Sequence, residues 1–217
     1  MVDVAIIKKN VKNITLRVKP NGEVSLTAPK DTSSEHIEYI LNKREKWIHK
    51  KIEFFANTKK STKEYVSGED FKYLGKSYRL KVIESKEEKT KLQRGYLEIY
   101  IKNRDDLDKK KRLVYEWYYE KALLHFFNTL QELNKIVKKD IKSVKIRDMK
   151  TRWGSCNSYK SYINLNLELI KKPKKCIEYV IFHELAHLIY PNHSKDFYNY
   201  LTLYMPDWEE RKKILNS

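Results

Sequence analysis

The 217-residue chain has few cysteines, few glycines and prolines, and no long apolar run. Its two cysteines, Cys156 and Cys176, form no C-x-x-C pair, so a reducing, cytoplasmic setting is expected. With only five glycines and five prolines and an ordinary hydrophobic content, the composition is that of a folded chain. No apolar segment approaches the ~18 residues of a membrane helix, and the N-terminus places an acid before its lysines, the wrong order for a secretory signal. We therefore expect a globular protein without a membrane span.

Arginine is scarce as well, although the chain is strongly basic. The net charge of +17 comes from 37 Lys and 9 Arg against 29 acidic residues. A protein this basic attracts polyanions, but contacts that read base edges favour arginine. Specific recognition of nucleic acid is therefore disfavoured, while nonspecific binding of nucleic acid through the basic surface stays open.

Histidine is rare, yet three of the six histidines lie between positions 183 and 193. The segment His183-Glu184-Leu185-Ala186-His187 is an H-E-x-x-H motif. On a helix, histidines four residues apart present both imidazoles on one face, which suits a tetrahedral zinc, and the intervening glutamate is a candidate general base. Two imidazoles alone make a weak site, so a third ligand is required.

Two sources of that third ligand are compatible with the sequence. His193 follows His187 by six residues, and Pro191 cannot continue a helix, so the chain should turn and can return His193 to the metal. The resulting offsets of zero, four and ten match those of the metzincins. The rival is a glutamate from the following helix, the gluzincin arrangement, offered by Glu209 or Glu210. Those two residues fit a solvent-facing helix start more simply, so His193 is favoured.

Residues 1–104 have the pattern of a mixed α/β region. Residues 14–18 and 24–28 alternate apolar and polar side chains, which predicts a hairpin with one buried face. A T-x-x-E capping box at Thr32 predicts the start of a helix. Three further strands are predicted at 71–74, 78–83 and 96–101. The charged stretch 84–91 predicts a solvated loop.

Residues 105–217 are more helical and carry the H-E-x-x-H motif. A long helix is predicted from 105 or 106 to about 137 because it has a wide apolar face. Residues 144–153 and 162–169 predict a β-hairpin. The motif lies on a helix predicted at about 174–189, and C-terminal helices follow. The predicted fold class is α+β.

Four segments together carry a family resemblance. They are Lys150-Thr151-Arg152-Trp153-Gly154-Ser155-Cys156, Tyr162-Ile163-Asn164-Leu165-Asn166, Tyr179-Val180-Ile181-Phe182-His183-Glu184-Leu185-Ala186-His187, and Pro191-Asn192-His193-Ser194-Lys195. They resemble the YgjP-like metal-dependent hydrolase family, which is related to the SprT-like and Wss-type zincin peptidases. The match is dense over about residues 144–215, and similar N-terminal segments extend it over most of the chain.

The resemblance implies a zincin-like catalytic domain at residues 105–217, preceded by the smaller mixed α/β region at residues 1–104. It implies Zn²⁺ as the cofactor and Glu184 as the catalytic residue. The implied metal ligands are His183, His187 and His193.

The resemblance also implies that the block from Arg152 to Cys156 borders the active site. Arg152, Trp153 and Gly154 are then the candidate substrate-binding residues, because such a strand can pair with an extended substrate. The alternative is that Trp153 and Gly154 only shape the hairpin.

We therefore predict a zinc-dependent hydrolase, a metallopeptidase in which Glu184 activates a zinc-bound water to cleave peptide bonds. Its expected partner is a peptide or protein substrate. Arg152, Tyr190 and Asn192 are candidates for the oxyanion donor. Two alternatives stay open, a metal-dependent nucleotide phosphohydrolase, motivated by the lysine surplus, and a nucleic-acid-associated protease module. A purely structural zinc is disfavoured because such sites have four protein ligands.

Overall fold

The computed structural model describes residues 3–19, 21–57 and 63–216. The chain divides into two compact units, residues 1–63 and 64–217. The sequence-based division at residue 104 lies later, within the second unit. The physical reason for the difference is that strands between residues 70 and 101 share one hydrophobic core with the helices that follow.

The first unit is a three-stranded sheet with one helix. Its elements are β1 Val4–Lys9, β2 Thr15–Val18, β3 Val24–Pro29 and α1 Ser34–Asn57. The expected hairpin is present as antiparallel β2 and β3, and an additional strand, β1, pairs with β3 in parallel. Alternate residues of β3 are buried, and Leu26, Ala28 and Ile37 form a small core.

Helix α1 begins one residue later than the capping box at Thr32 predicted. The Ser33 hydroxyl accepts a hydrogen bond from the backbone N–H of His36 at 3.3 Å. Ser33 therefore satisfies one of the first unpaired N–H groups of the helix, the usual role of an N-cap side chain. The prediction of Thr32 as the cap is wrong because its neighbour has an equally suitable hydroxyl.

The second unit begins with a four-stranded sheet in the order β4-β5-β7-β6. Its strands are β4 Asp70–Tyr73, β5 Lys76–Glu84, β6 Lys89–Gln93 and β7 Tyr96–Ile101. Strands β5 and β7 are parallel, and the other pairs are antiparallel. The prediction of a loop over residues 84–91 is wrong at Glu84, the last residue of β5, and from Lys89 onward. Strand β6 lies at the sheet edge, where charged side chains such as lysine are tolerated and discourage further strand pairing.

The predicted long helix is confirmed as α2, Leu107–Val137. The Asp106 side chain accepts a hydrogen bond from the Lys109 N–H at 2.9 Å and so caps the helix. His125 lies on α2, with its Nε2 2.9 Å from the Tyr73 hydroxyl. His125 is therefore a structural histidine with a hydrogen-bond partner.

A second three-stranded sheet follows α2, in the order β8-β10-β9. Its strands are β8 Ser143–Arg147, β9 Gly154–Asn157 and β10 Tyr162–Asn166. The predicted pairing of 144–153 with 162–169 as a hairpin is wrong. Strand β8 is parallel to β10, and the antiparallel partner of β10 is β9.

The buried side chain of Asn166 is the physical reason for that difference. Its Nδ2 donates hydrogen bonds to the carbonyls of Met149 at 2.7 Å and Arg152 at 2.9 Å. These bonds hold residues 148–153 in a loop, so strand pairing resumes only at Gly154. Beyond Asn166 the chain turns into a 3-10 helix, Leu167–Lys171, which is stabilised by a bond from the Glu168 N–H to Asn166 Oδ1.

Three helices complete the chain, α3 Lys174–Ala186, α4 Lys195–Tyr204 and α5 Trp208–Leu215. Helix α3 carries the motif, and nine of its 13 residues are buried. The turn after β4 packs against its start, because a Cβ added to Gly75 would lie 2.9 Å from Pro173 Cα. The described helices include none with the length and apolar character that crossing a membrane requires. The α+β fold class is confirmed. The order of long helix, hairpin, motif helix and C-terminal helices is also found, with β9 and β10 forming the hairpin in place of the predicted pair.

Candidate metal centre

Three histidines from two chain segments meet at the end of α3. The ring centroids of His183 and His187 are 4.9 Å apart, and His193 lies 4.9 Å from the first and 4.6 Å from the second. One nitrogen of each ring lies within 4.8 Å of the other two. The structure thus brings together the two histidines of the motif and His193.

The end of α3 explains how His193 returns to the motif. His187 is the C-cap residue of the helix, and the chain leaves the helix before Pro191. The Tyr190 carbonyl is 3.1 Å from His187 Nδ1. Because a carbonyl only accepts, this nitrogen carries the proton, and the Nε2 lone pair of His187 is left free for a metal. Ser194 then caps α4 by accepting a bond from the Phe197 N–H at 3.4 Å.

The Phe197 ring packs against all three imidazoles. Its ring centroid lies 5.0 Å from that of His183, 4.7 Å from His187 and 4.8 Å from His193. The side chain is fully buried in the first turn of α4. This aromatic packing limits the rotation of each ring on the side that faces Phe197. The sequence offered a signal for this residue, an aromatic side chain three positions after the cap of the helix that follows His193.

Burial favours the uncharged form of His183 and His187. Burial, followed by the charges of His187, His193 and Lys212, lowers the pKa of His183 to about 3. Burial also lowers the pKa of His187. Neutral imidazole is the form that binds metals, so this environment favours ligation over protonation.

The separation of two of the donor nitrogens is close to that expected around a tetrahedral metal ion. Zinc held by bonds of about 2.0–2.1 Å separates its nitrogen ligands by about 3.3 Å. His183 Nε2 and His193 Nε2 face each other at 3.0 Å, close to that separation. The other nitrogen of His183 is buried and has no hydrogen-bond partner in the described part of the chain. The rival ligands do not join the cluster, since Glu210 pairs with Lys175 at 2.9 Å and Glu209 is exposed.

Glu184 lies beside the histidines on the same helix and is only 6% exposed. Burial raises the pKa of Glu184 to about 8, against an opposing effect of Arg152. A divalent cation nearby would favour the charged carboxylate and lower this pKa. The carboxyl group is therefore held away from bulk water, on the residue that directly follows His183 in the helix.

Strand β9 passes directly over the Glu184 side chain at Gly154. A Cβ at this position would lie 2.6 Å from Glu184 Oε1 and 2.7 Å from its Cγ. Gly154 is therefore the residue that leaves room for the carboxylate. The sequence assigned Gly154 to a possible substrate-binding block, but gave no indication that it touches Glu184.

The other residues of that block have different surroundings. Arg152 is exposed, and Trp153 is half-buried with the Lys172 ammonium 5.4 Å from its ring centroid. The Cys156 thiol has its pKa raised to about 12 by burial and by the Glu184 charge. The thiol therefore remains protonated at neutral pH.

Comparison with known proteins identifies the family. The family model described as YgjP-like, metallopeptidase domain matches residues 12–217. The chain belongs to the YgjP-like metallopeptidase family. This YgjP-like protein is accordingly a hydrolase of the metallopeptidase class, which acts on peptides or proteins with a divalent metal. The resemblance inferred from the four sequence segments is confirmed.

Two solved structures are similar to parts of the YgjP-like chain. The metallopeptidase zymogen of Pyrococcus abyssi abylysin is 24% identical with a TM-score of 0.37, covering 41% of this chain and 87% of its own. The metallopeptidase zymogen of Methanocaldococcus jannaschii jannalysin is 23% identical with a TM-score of 0.38, covering 42% and 88%. No curated protein matches the chain. The description of the family refers to no nucleic acid.

Proposed function

We propose that the YgjP-like protein is a zinc peptidase with His183, His187 and His193 as metal ligands and Glu184 as the general base. The observation that carries this proposal is the meeting of three imidazole nitrogens within 4.8 Å, with a buried carboxylate on the adjacent residue of the same helix. A zinc ion held there supplies a Lewis acid that polarises the scissile carbonyl and acidifies water.

Glu184 performs the proton transfers in this proposal. Its carboxylate accepts a proton from the attacking water and later delivers that proton to the leaving amine. Its burial keeps bulk water from competing for the proton. Because Gly154 has no side chain, the carboxylate has room beside β9. Both steps require the carboxylate to remain close to the point where the imidazoles converge.

Strand β9 is the proposed binding surface for the substrate. Among the described strands it pairs with β10 alone, so it lies at the edge of its sheet. Unpaired backbone groups at such an edge can bind an extended peptide as an added strand. Gly154 brings this edge next to Glu184, and Trp153 and Arg152 precede it. We propose that these three residues align the substrate backbone with the metal centre.

A metal and peptide-digestion experiment tests the proposal. The purified protein should bind about one zinc per chain, and a peptide library analysed by mass spectrometry should show cleavage. Glu184→Gln should retain zinc and lose about 10²–10⁴-fold in activity, the range for a general base. Glu209→Gln is the matched control, because it alters the rejected ligand candidate and should preserve both zinc and activity. Full activity in Glu184→Gln would remove the proposed base, and loss of zinc in Glu209→Gln would favour the gluzincin arrangement.

A further inference from the structure

Three aromatic side chains form a stack that ends on the proposed third metal ligand. The ring centroids of Tyr179 and Trp208 are 6.4 Å apart with planes at 15°, and those of Trp208 and Tyr198 are 5.3 Å apart at 26°. Tyr198 in turn stacks on His193 at 6.1 Å and 28°. We refer to Tyr179, Trp208 and Tyr198 as the aromatic ladder.

The ladder is anchored on three helices of the second unit. Tyr179 belongs to α3, Tyr198 to α4 and Trp208 to α5. Trp208 is 9% exposed, and its Nε1 donates a hydrogen bond to Thr202 Oγ1 at 3.1 Å. At the other end of the ladder, Tyr179 makes an edge contact with His183. Their ring centroids are 5.8 Å apart and their planes are at 61°. Each ring is thus held by neighbours on more than one element.

His193 needs such support more than the other two histidines. His183 and His187 lie at the buried end of α3, and a backbone carbonyl orients the His187 ring. His193 is the exposed member of the cluster and lies in the turn before α4. A ligand on a turn loses more side-chain freedom when it binds a metal, so a surface that fixes its ring beforehand increases metal affinity.

We propose that Tyr198 and Trp208 are positioning residues that orient the His193 imidazole for metal binding. The inference rests on the proposed zinc site and adds that α5, which contributes no ligand, determines part of its affinity. Ligand-orienting partners are usually hydrogen-bonding groups whose loss costs about 10–100-fold in metal affinity. Here stacked rings take that role, so the aromatic plane of Tyr198 matters and its hydroxyl does not.

Zinc affinity of the full chain, measured by competition with a chromophoric chelator, tests this proposal. Tyr198→Leu keeps an apolar side chain but removes the ring plane, and it should weaken zinc binding by about 10-fold. Tyr198→Phe keeps the plane and should bind within about twofold of the wild type, as expected if the ring contact carries the effect. Tyr204→Leu is the matched control, since Tyr204 lies on the same helix and contacts Phe182 and Tyr200 instead. Its zinc affinity should not change.

The visible spectrum of bound cobalt(II) provides a second readout, because it reports the ligand geometry around the ion. Tyr198→Leu should alter this spectrum, and Tyr198→Phe should reproduce that of the wild type. Equal zinc affinity in Tyr198→Leu and the wild type would overturn the positioning role. Equal weakening in Tyr198→Phe or in Tyr204→Leu would also overturn it, because the effect would then not come from the stacked ring. A wild-type protein that binds no zinc would instead refute the proposed function.

Discussion

Replacing Gly154 with alanine is expected to disable the YgjP-like peptidase while leaving its histidines able to bind zinc. The new Cβ would lie 2.6 Å from Oε1, 2.7 Å from Cγ and 2.9 Å from Cδ of Glu184. The backbone of β9 cannot retreat easily, because Gly154 pairs with Leu165 of β10 and the Trp153 carbonyl accepts a bond from the Asn166 N–H at 2.9 Å. The Glu184 side chain must therefore move.

The required displacement sets the size of the expected effect. Non-bonded carbon atoms pack best at about 3.5–4.0 Å, so the carboxylate has to withdraw by roughly 1 Å. A misplacement of about 1 Å can cost about 10²-fold in rate, which corresponds to about 2.7 kcal/mol of transition-state stabilisation. Because a rotatable side chain rather than backbone absorbs the clash, the loss of folding stability should be the smaller effect, about 1 kcal/mol.

The assay compares kcat/KM on a cleaved peptide with zinc content and melting temperature. Gly154→Ala should lose about 100-fold in kcat/KM and keep its zinc. Glu184→Asp withdraws the carboxylate by one methylene, so adding Gly154→Ala to it should cost much less than the same change in the wild type, a coupling that a double-mutant cycle measures. Wild-type activity in Gly154→Ala would refute the reasoning. Loss of zinc in Gly154→Ala, or additive effects of the two substitutions in the cycle, would show that the lost activity does not come from displacement of the Glu184 carboxylate.

Three further predictions concern the stability of the protein around the proposed zinc site. Gly75→Ala should lower the free energy of unfolding by at least ~2 kcal/mol in a denaturant titration, because Gly75 has φ +82° and a Cβ there would meet Pro173 backbone at 2.9 Å. Asn166→Ala should cost about 1–3 kcal/mol per carbonyl left without a partner and raise KM, since the loop before Gly154 loses its bonds. Zinc at 100 times its dissociation constant should add about 2.7 kcal/mol and raise the melting temperature by about 5–10 °C, an effect that EDTA reverses. An unchanged free energy of unfolding in Gly75→Ala or Asn166→Ala would contradict the contact assigned to that residue. An unchanged melting temperature with zinc would contradict metal binding by the folded protein.

The local pattern of the second unit was largely predictable. The apolar face of α2, the acidic cap before it and the motif helix all depend on side chains a few residues apart, so periodicity and capping rules apply directly. The turn that returns His193 was also indicated, because Pro191 excludes a helical continuation. What these patterns could not provide was the pairing of strands.

Strand pairing was where the predictions failed. Strand β9 lies between the two predicted strands, at 144–153 and 162–169. Nothing local in the sequence shows that Asn166 binds the carbonyls of Met149 and Arg152 and so holds the preceding segment in a loop. The parallel pairing of β8 with β10 joins strands that are not adjacent in the chain. Strands β1 and β6 were not predicted, for a related reason. Each lies at the edge of its sheet and forms because a neighbouring strand pairs with it, so its sequence does not need to alternate apolar and polar residues.

The sequence by itself determined the chemistry available to this protein. It places two imidazoles and a carboxylate on one helix turn, and a third imidazole follows Pro191, which cannot continue a helix. Those relations are local, and helix geometry converts their spacing into proximity. Only the tertiary structure decided which neighbours act on them. Gly154 reaches Glu184, Phe197 supports the three imidazoles, and Trp208 reaches the stack on His193 through contacts between elements. Such contacts depend on how separate helices and strands pack, and that information is spread over the whole buried core.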